Sequence, residues 1–321
     1  WTAAIISGSP SGFSDDSGNS IQQTLINNGN TEAVVRYTIT PAIGSCTGTP
    51  INVDVTVNPS GQVNDITNQV VCNTDNTAAV NFSTTRTDGT TTYAWTNNNT
   101  SIGLAASGSG DISSFPATNS GTSPVIATIT VTPTYTNDGV SCQGPSKNFT
   151  ITVNPTAQVN DPGNQVYCNT ENVTLNYSTL NTGGITTYSW TNDNTNIGLE
   201  ASGSGDLSFS AENNGTSPIS ATIVVTPTFS NGGEDCSGPS ETFTITVNPS
   251  GQVDDVGDQQ LCNGSTTSEV TFSTDRTPGT TTYEWTNDTP SIGLSGSGNG
   301  DIPAFTAINN GTETVDATIT V

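Results

Sequence analysis

The residues of this 321-residue chain that could do chemistry are six cysteines, a series of tryptophans and a set of scattered aspartates. Cys46, Cys142 and Cys236 form one cysteine series, and Cys72, Cys168 and Cys262 a second. No Cys-x-x-Cys or Cys/His spacing is present and the chain has no histidine, so metal ligation by these thiols lacks its usual pattern. Disulfides are the chemistry expected of them, and disulfides imply an oxidising compartment.

Asp65, Asp161 and the pair Asp254 and Asp255 are the other candidates. Calcium is the one cofactor to consider there, since hard cations take clustered carboxylates and carbonyls. No Asp-x-Asp-x-Asp-Gly loop accompanies them, and exposed turn acids are the competing reading. The segments Gly-Ser-Gly-Asp ending at Asp111 and Asp206, and Gly-Asn-Gly-Asp ending at Asp301, superficially look like phosphate loops. They lack the following Lys and helix of such a loop, and the expectation is that each Asp caps its own turn.

The inventory excludes enzymatic chemistry of the common kinds. There is no histidine to act as general base, a single lysine (Lys147), and no paired-carboxylate motif beside an implied cleft. One lysine also rules out an intramolecular isopeptide bond in every repeat. With 4 Lys plus Arg against 28 Asp plus Glu, a formal net charge of -24, the chain repels nucleic acid and anionic membrane, and neither is an expected partner. No apolar run approaches the roughly 18 residues of a membrane span, so direct insertion is not expected.

The elements that must position these residues follow from internal repetition. Tryptophans fall at 1, 95, 190 and 285, and with the two cysteine series they share a period of 94 to 96 residues. Thr-Val-Asn-Pro recurs at 56–59, 152–155 and 246–249, Ile-Gly-Leu at 102–104, 197–199 and 292–294, and Ala-Thr-Ile at 127–129, 221–223 and 317–319. Boundaries placed after each Asn-Pro give units 1–59, 60–155, 156–249 and 250–321. The first is read as the C-terminal part of a repeat, the last as the N-terminal part of one, and the middle two as complete. On that reading the chain is a window on something longer, whose export signal lies elsewhere.

Within a unit, runs such as Phe149–Val153 and Phe243–Val247 alternate apolar residues with threonine, the period-two pattern of a strand with one buried face. In 60–155 strands are expected near 66–72, 79–85, 90–96, 111–117, 124–135 and 147–154. Short strands of this kind, with a Trp on the third, predict an all-β chain of tandem Ig-like two-sheet sandwiches arranged end to end as an extended rod. Trp95, Trp190 and Trp285 are then core plugs. Phe13, Phe115, Phe209 and Phe305, the candidates for a solvent-facing aromatic platform, are expected to be mostly buried.

Disulfide pairing stays open between two schemes. Cys72 ends a first strand and Cys142 lies in the hairpin before the last, positions at opposite ends of such a sandwich and about 25 Å apart for a strand of eight residues. A bridge needs Cα atoms within about 7 Å. One scheme therefore joins successive repeats, Cys72 to Cys236, with the other four cysteines pairing outside this segment. The other folds each hairpin back, joining Cys72 to Cys142 and Cys168 to Cys236.

The segments Gln69–Asn73, Thr92–Thr96, Ala127–Pro133 and Phe149–Pro155 resemble the PKD-like repeats of giant cell-surface adhesins of gliding flavobacteria. The resemblance covers the two complete repeats and the truncated fourth and is weaker in the first. It implies an extracellular, bacterial cell-surface location, type IX secretion, and partners in the gliding and secretion machinery of the outer membrane. It supplies no catalytic residues. The expected function is a structural stalk, or filament, of a very large adhesin that meets an external surface or polysaccharide. The alternative is that the repeats themselves bind polysaccharide or neighbouring filaments, as multivalent carbohydrate-binding-like modules.

Overall fold

The computed structural model describes residues 1–321, and the chain is nearly all β, with only single 3-10 turns between strands. By compactness it divides into two units. The first is Trp1–Gln158 with Leu180–Thr186 and Thr228–Gly238, and the second is Val159–Thr179, Thr187–Pro227 and Pro239–Val321.

The first unit holds the 60–155 repeat. Its main sheet runs, in spatial order, Ser107–Ser109, Thr90–Asn97, Val125–Asn137, Lys147–Asn154 and Gln69–Cys72, and Val140–Gln143 extends the hairpin of the long strand. All neighbours are antiparallel except the last pair, in which Gln69–Cys72 runs parallel to Ile151–Asn154 and sets Cys72 beside Asn154. The opposing layer is sparse. Where strands near 79–85 and 111–117 are expected, the ladder shrinks to isolated bridges at Val80–Ile112 and Asn76–Pro116. Beyond Val80 the Phe82 N–H goes to Asp111 Oδ1, at 2.8 Å. In 1–59 the strands Thr2–Ser7, Ala33–Ile39 and Ile51–Val57 form one antiparallel sheet, with Pro10–Ser11 and Ile26–Asn27 paired apart from it.

The 156–249 repeat, most of which lies in the second unit, has the same pattern. Its sheet order is Gln165–Cys168, Glu241–Asn248, Ile219–Asn231, Ile185–Asn192 and Ser202–Ser204, with Asn172–Leu175 paired to Leu207–Ser210 as the opposing layer. In 250–321 the strands Glu284–Asn287, Ser297–Asn299 and Ile319–Thr320 form a small sheet.

The cores are apolar on alternate strand positions, as the threonine alternation requires. Ala127, Ile129, Val131, Phe149, Ile151 and Val153 bury completely or nearly so around Trp95, and Ala221, Ile223, Val225, Phe243, Ile245 and Val247 do so around Trp190. Trp285 anchors a smaller cluster with Leu294 and Ile302. Each indole lies against a glycine of the adjacent strand. A Cβ on Gly108, Gly203 or Gly298 would sit 2.2, 2.2 or 2.3 Å from the ring of Trp95, Trp190 or Trp285. The Ser-Gly-Ser and Ser-Gly-Asn runs thus have a packing role. Their terminal aspartates also act at long range: Asp206 and Asp301 accept the N–H groups of Tyr177 and Phe272, 29 residues earlier, as Asp111 does that of Phe82. This corrects the expectation of local turn caps. The side chain reaches the facing layer, where an unpaired N–H would otherwise be left unsatisfied.

The recurring Trp-Thr-Asn and Ala-Thr-Ile phrases have one physical link. The buried amides of Asn97, Asn192 and Asn287 donate to the carbonyls of Leu104, Leu199 and Leu294 and close the 3-10 turn beyond each Trp strand. The next residue, Asn98, Asp193 or Asp288, accepts the N–H of Thr128, Thr222 or Thr318. The Thr222 N–H beside Asp193 holds that carboxyl below its ordinary 3.8.

Two outcomes follow from these contacts. Gly108→Ala is expected to destabilise its repeat by about 1–3 kcal/mol through overpacking against Trp95, read as a lower denaturation midpoint in tryptophan fluorescence. For Asp193, a carboxyl-resolved NMR titration is expected to give a midpoint below 3.8. Because its folded pKa is depressed, the contribution of this group to stability is present above the ordinary carboxylate range and is lost as pH falls through the depressed value.

Candidate functional site: the contacts between successive repeats

The most densely bonded polar residues away from the cores lie where one repeat meets the next. The foundation is a loop built by one asparagine. Asn119 is 4% exposed. Its amide donates to the carbonyls of Ser123 and Val153 at 2.9 and 2.8 Å, and its Oδ1 accepts the Gly121 N–H at 2.9 Å. Asn27 and Asn213 make the same three bonds, to Thr31, Val57 and Gly29 and to Ser217, Val247 and Gly215. The side chain thus ties the loop Asn-x-Gly-Thr/Asn to the end of the last strand and leaves the loop's own carbonyls pointing away from it.

Those carbonyls receive the next repeat. Between 1–59 and 60–155, Thr87 N–H donates to the Asn30 carbonyl at 3.0 Å. The Arg86 guanidinium spans the Gly29 carbonyl, the Asn30 side chain and the Ser60 carbonyl. Between 156–249 and 250–321 the equivalents are Thr277 N–H to the Thr216 carbonyl at 2.9 Å and Arg276 to the Gly215 carbonyl at 2.5 Å. In 156–249 the arginine position is taken by Asn181. Its Oδ1 accepts Gln158 N–H, its amide donates to Thr156, and Thr182 N–H donates to the Thr122 carbonyl at 2.9 Å. The chain uses one backbone bond at all three junctions and varies the side chain around it.

A second contact uses the Asn of Thr-Val-Asn-Pro. Asn154, fully buried, donates to the Asn231 carbonyl and accepts from the Asn231 amide, each at 2.9 Å. Asn58 and Asn137 form the same reciprocal pair at 3.3 and 3.2 Å, with Glu32 also accepting from Asn137. Asn137 and Asn231 stand at the turn of the hairpin in their own repeat, so the turn of each repeat is seated on the last-strand end of the one before.

The disulfide completes the second junction. Cys72 is bonded to Cys236, with Cα atoms 5.5 Å apart and 164 residues between them in sequence. This is the bridge between successive repeats, not the one that folds each hairpin back. Register gives the reason: Cys72 is paired with Asn154 and Cys236 lies on the hairpin turned by Asn231, so the asparagine pair brings the two sulfurs together. Cys46, Cys168 and Cys262 are exposed thiols and Cys142 is half-buried.

The other candidate residues are dispersed. Asp65 pairs with Lys147 at 2.5 Å, which lowers its carboxyl pKa. Asp161 accepts the Gly163 N–H at 2.7 Å, and Asp254 accepts from Gln252 and Ser273 at 2.9 and 2.7 Å. Asp255 is exposed, and nowhere do three acidic or cysteine side chains converge. Trp95, Trp190 and Trp285 are 7%, 8% and 5% exposed. Phe13, Phe115, Phe209 and Phe305 are half-buried, and the last three pack on the cores.

Residues 1–61 match the model of a PKD-like domain. The match falls on the unit in which the resemblance by phrase is weakest. No curated protein matches the chain. Among solved structures it is similar to the fibronectin(III)-like modules of Clostridium thermocellum CbhA, at 13% identity over 59% of this chain and 94% of that one, with a TM-score of 0.25. It is also similar to protocadherin gamma B2 extracellular cadherin domains 3–6, at 11% over 78% and 67%, with a TM-score of 0.33. For the N-terminal Ig1-2 module of the Drosophila receptor protein tyrosine phosphatase DLAR the values are 13%, 59%, 99% and 0.20. No enzymatic family is indicated. A PKD-like domain and a disulfide are features of an extracellular repeat protein.

From the sequence, Asn58, Asn154 and Asn248 are only boundary markers, Asn137 and Asn231 only hairpin-turn residues, and Arg86 and Arg276 have no assigned role. The signal was available. The Asn of Asn-Pro and the Asn of the hairpin turn recur in one frame, and two junctions use one of each.

Replacing both Cys72 and Cys236 by Ser is expected to remove about 2–4 kcal/mol from the stability of the 60–155 repeat. Asn231→Ala is expected to remove about 1–3 kcal/mol by leaving the buried Asn154 Oδ1 without its donor. Differential scanning calorimetry checks both, and an unchanged transition in either variant removes that contact from the junction.

Proposed function

We propose that these repeats are the stalk, or filament region, of a very large bacterial cell-surface adhesin, holding its adhesive part away from the cell in surface attachment and gliding motility. The observation that carries the reading is the junction. The same loop carbonyl, and at two junctions the same asparagine pair, joins repeat to repeat, so a large share of the chain's well-bonded polar groups is given to continuity. Surface display by type IX secretion, and outer-membrane gliding machinery as partner, belong to the same proposal and rest on the resemblance to adhesin repeats. Contact with an external surface or polysaccharide falls to the parent protein.

Direct binding of polysaccharide by the repeats is the weaker reading. A sugar platform needs an exposed aromatic face, whereas Phe115, Phe209 and Phe305 pack against the cores and the tryptophans are buried. Calcium is not required by the reading, because Asp65, Asp161 and Asp254 already have protein partners at the positions where a stiffening ion would sit.

Small-angle scattering with calcium and after chelation tests the proposal. The expected result is a maximum dimension on the order of 130 Å in both conditions, from about 30–40 Å per sandwich. Extension that depends on calcium would make the junction carboxylates a metal site, and a compact particle in both conditions would overturn the stalk.

A further inference from the structure

Cys168, Asn248 and Val166 form a face that one repeat earlier is occupied. In 156–249 the parallel pair sets Cys168 beside Asn248, as Cys72 is set beside Asn154 in 60–155. The two faces are built alike down to the residue after each cysteine. Asn73 donates to the Thr156 hydroxyl and to no later element, and Asn169 donates to the Ser250 hydroxyl in the same way, both at 3.0 Å. They differ in what covers them. Cys72 is 9% exposed and disulfide-bonded, Asn154 is 0% exposed, and Val70 lies against Gly232, whose added Cβ would meet it at 3.1 Å. Cys168 is exposed and unbonded, Asn248 is only partly buried, and Val166 is 65% exposed.

We infer that the Val166–Cys168–Asn248 face is a docking surface for the hairpin of a following repeat, one whose turn begins with Asn and carries Cys five positions later. Both hairpins of that form in the chain, Asn137–Cys142 and Asn231–Cys236, are already seated through their asparagines on the repeat before them, which leaves neither to cover this face. The occupant is therefore the Asn-x-Gly-x-x-Cys hairpin that completes the 250–321 repeat. Its turn asparagine pairs reciprocally with Asn248, the residue after that asparagine lies over Val166 as Gly232 lies over Val70, and its cysteine bonds Cys168. In the covalent step each of the two thiols gives up a proton and an electron as the S–S bond forms. A disulfide oxidant, small-molecule or protein, accepts both electrons and is reduced to two thiols. The assignment makes the staple directional. The strand-end cysteine of each repeat reaches forward, skipping its own hairpin, and the hairpin cysteine reaches back.

The test appends a copy of residues Thr226–Pro249 after Val321, which supplies the missing hairpin in frame, and maps disulfides in the oxidised, non-reduced protein. The expected map joins Cys168 to the appended cysteine and keeps Cys72 joined to Cys236. Cys168→Ser in the same chain is expected to leave the appended cysteine open to alkylation. A bridge from the appended cysteine to Cys262, a free appended cysteine, or a disulfide-linked dimer through Cys168 overturns the assignment. Should the extended chain fail to form Cys72–Cys236, a second measurement decides. The unextended chain is equilibrated in a glutathione redox buffer with a peptide of residues Thr228–Ser240. At least tenfold preference for mixed disulfide at Cys168 over Cys46 and Cys262 supports the surface, and equal capture by the three overturns it.

Discussion

The amide of Asn119, repeated at Asn27 and Asn213, fixes the loop on which the next repeat is seated. A short polar loop at the end of a sandwich has carbonyls and N–H groups that water would otherwise satisfy in many conformations. One buried amide holding two carbonyls and one N–H selects a single conformation, because breaking any of the three bonds leaves a buried polar group unpaired. With the loop fixed, its outward carbonyls stand in one place, and the backbone bond from Thr87, Thr182 or Thr277 finds the same acceptor geometry at every junction.

That constraint explains why a chain so poor in apolar residues folds as several small domains. Each core combines the inward residues of two long strands and one tryptophan with a few apolar residues of the facing layer and the 3-10 turn. The ends are closed by asparagines, and long-range carboxylates such as Asp111 satisfy the sparse facing layer. Asn154 shows how the same residue type serves core and junction together: it is completely buried, yet both of its bonds to Asn231 leave its own repeat. The side chains that end one sandwich are the ones that begin contact with the next.

The junctions differ in how much strength they carry. The pair Asn58–Asn137 is longer than Asn154–Asn231, and Arg86 reinforces the first junction where the disulfide reinforces the second. A guanidinium bonded to several carbonyls and a covalent bridge are two solutions to one requirement, that the seated repeat not slip. Arg276 meets it again in 250–321. Asn181, with a shorter side chain in the arginine position, stands at the junction that has the disulfide.

The sequence alone determined the period, the all-β character and the buried tryptophans, because periodicity and alternation are local properties of side chains on an extended backbone. Threonine alternation in Phe149–Val153 and the recurrence of Trp95, Trp190 and Trp285 are legible without coordinates. The strands near 79–85 and 111–117 are shorter than expected, and beyond the Val80–Ile112 bridge the Phe82 N–H is taken by the Asp111 side chain, a bond that no local pattern reveals. The choice between two disulfide schemes, the reach of Asp206 and Asp301, and the pairing of Asn58 with Asn137 needed tertiary structure. Each joins residues from 29 to 164 positions apart: the antiparallel facing layer brings Asp206 and Asp301 to Tyr177 and Phe272, and the seat of the hairpin, with the register of the parallel strand pair, brings the asparagines and sulfurs together.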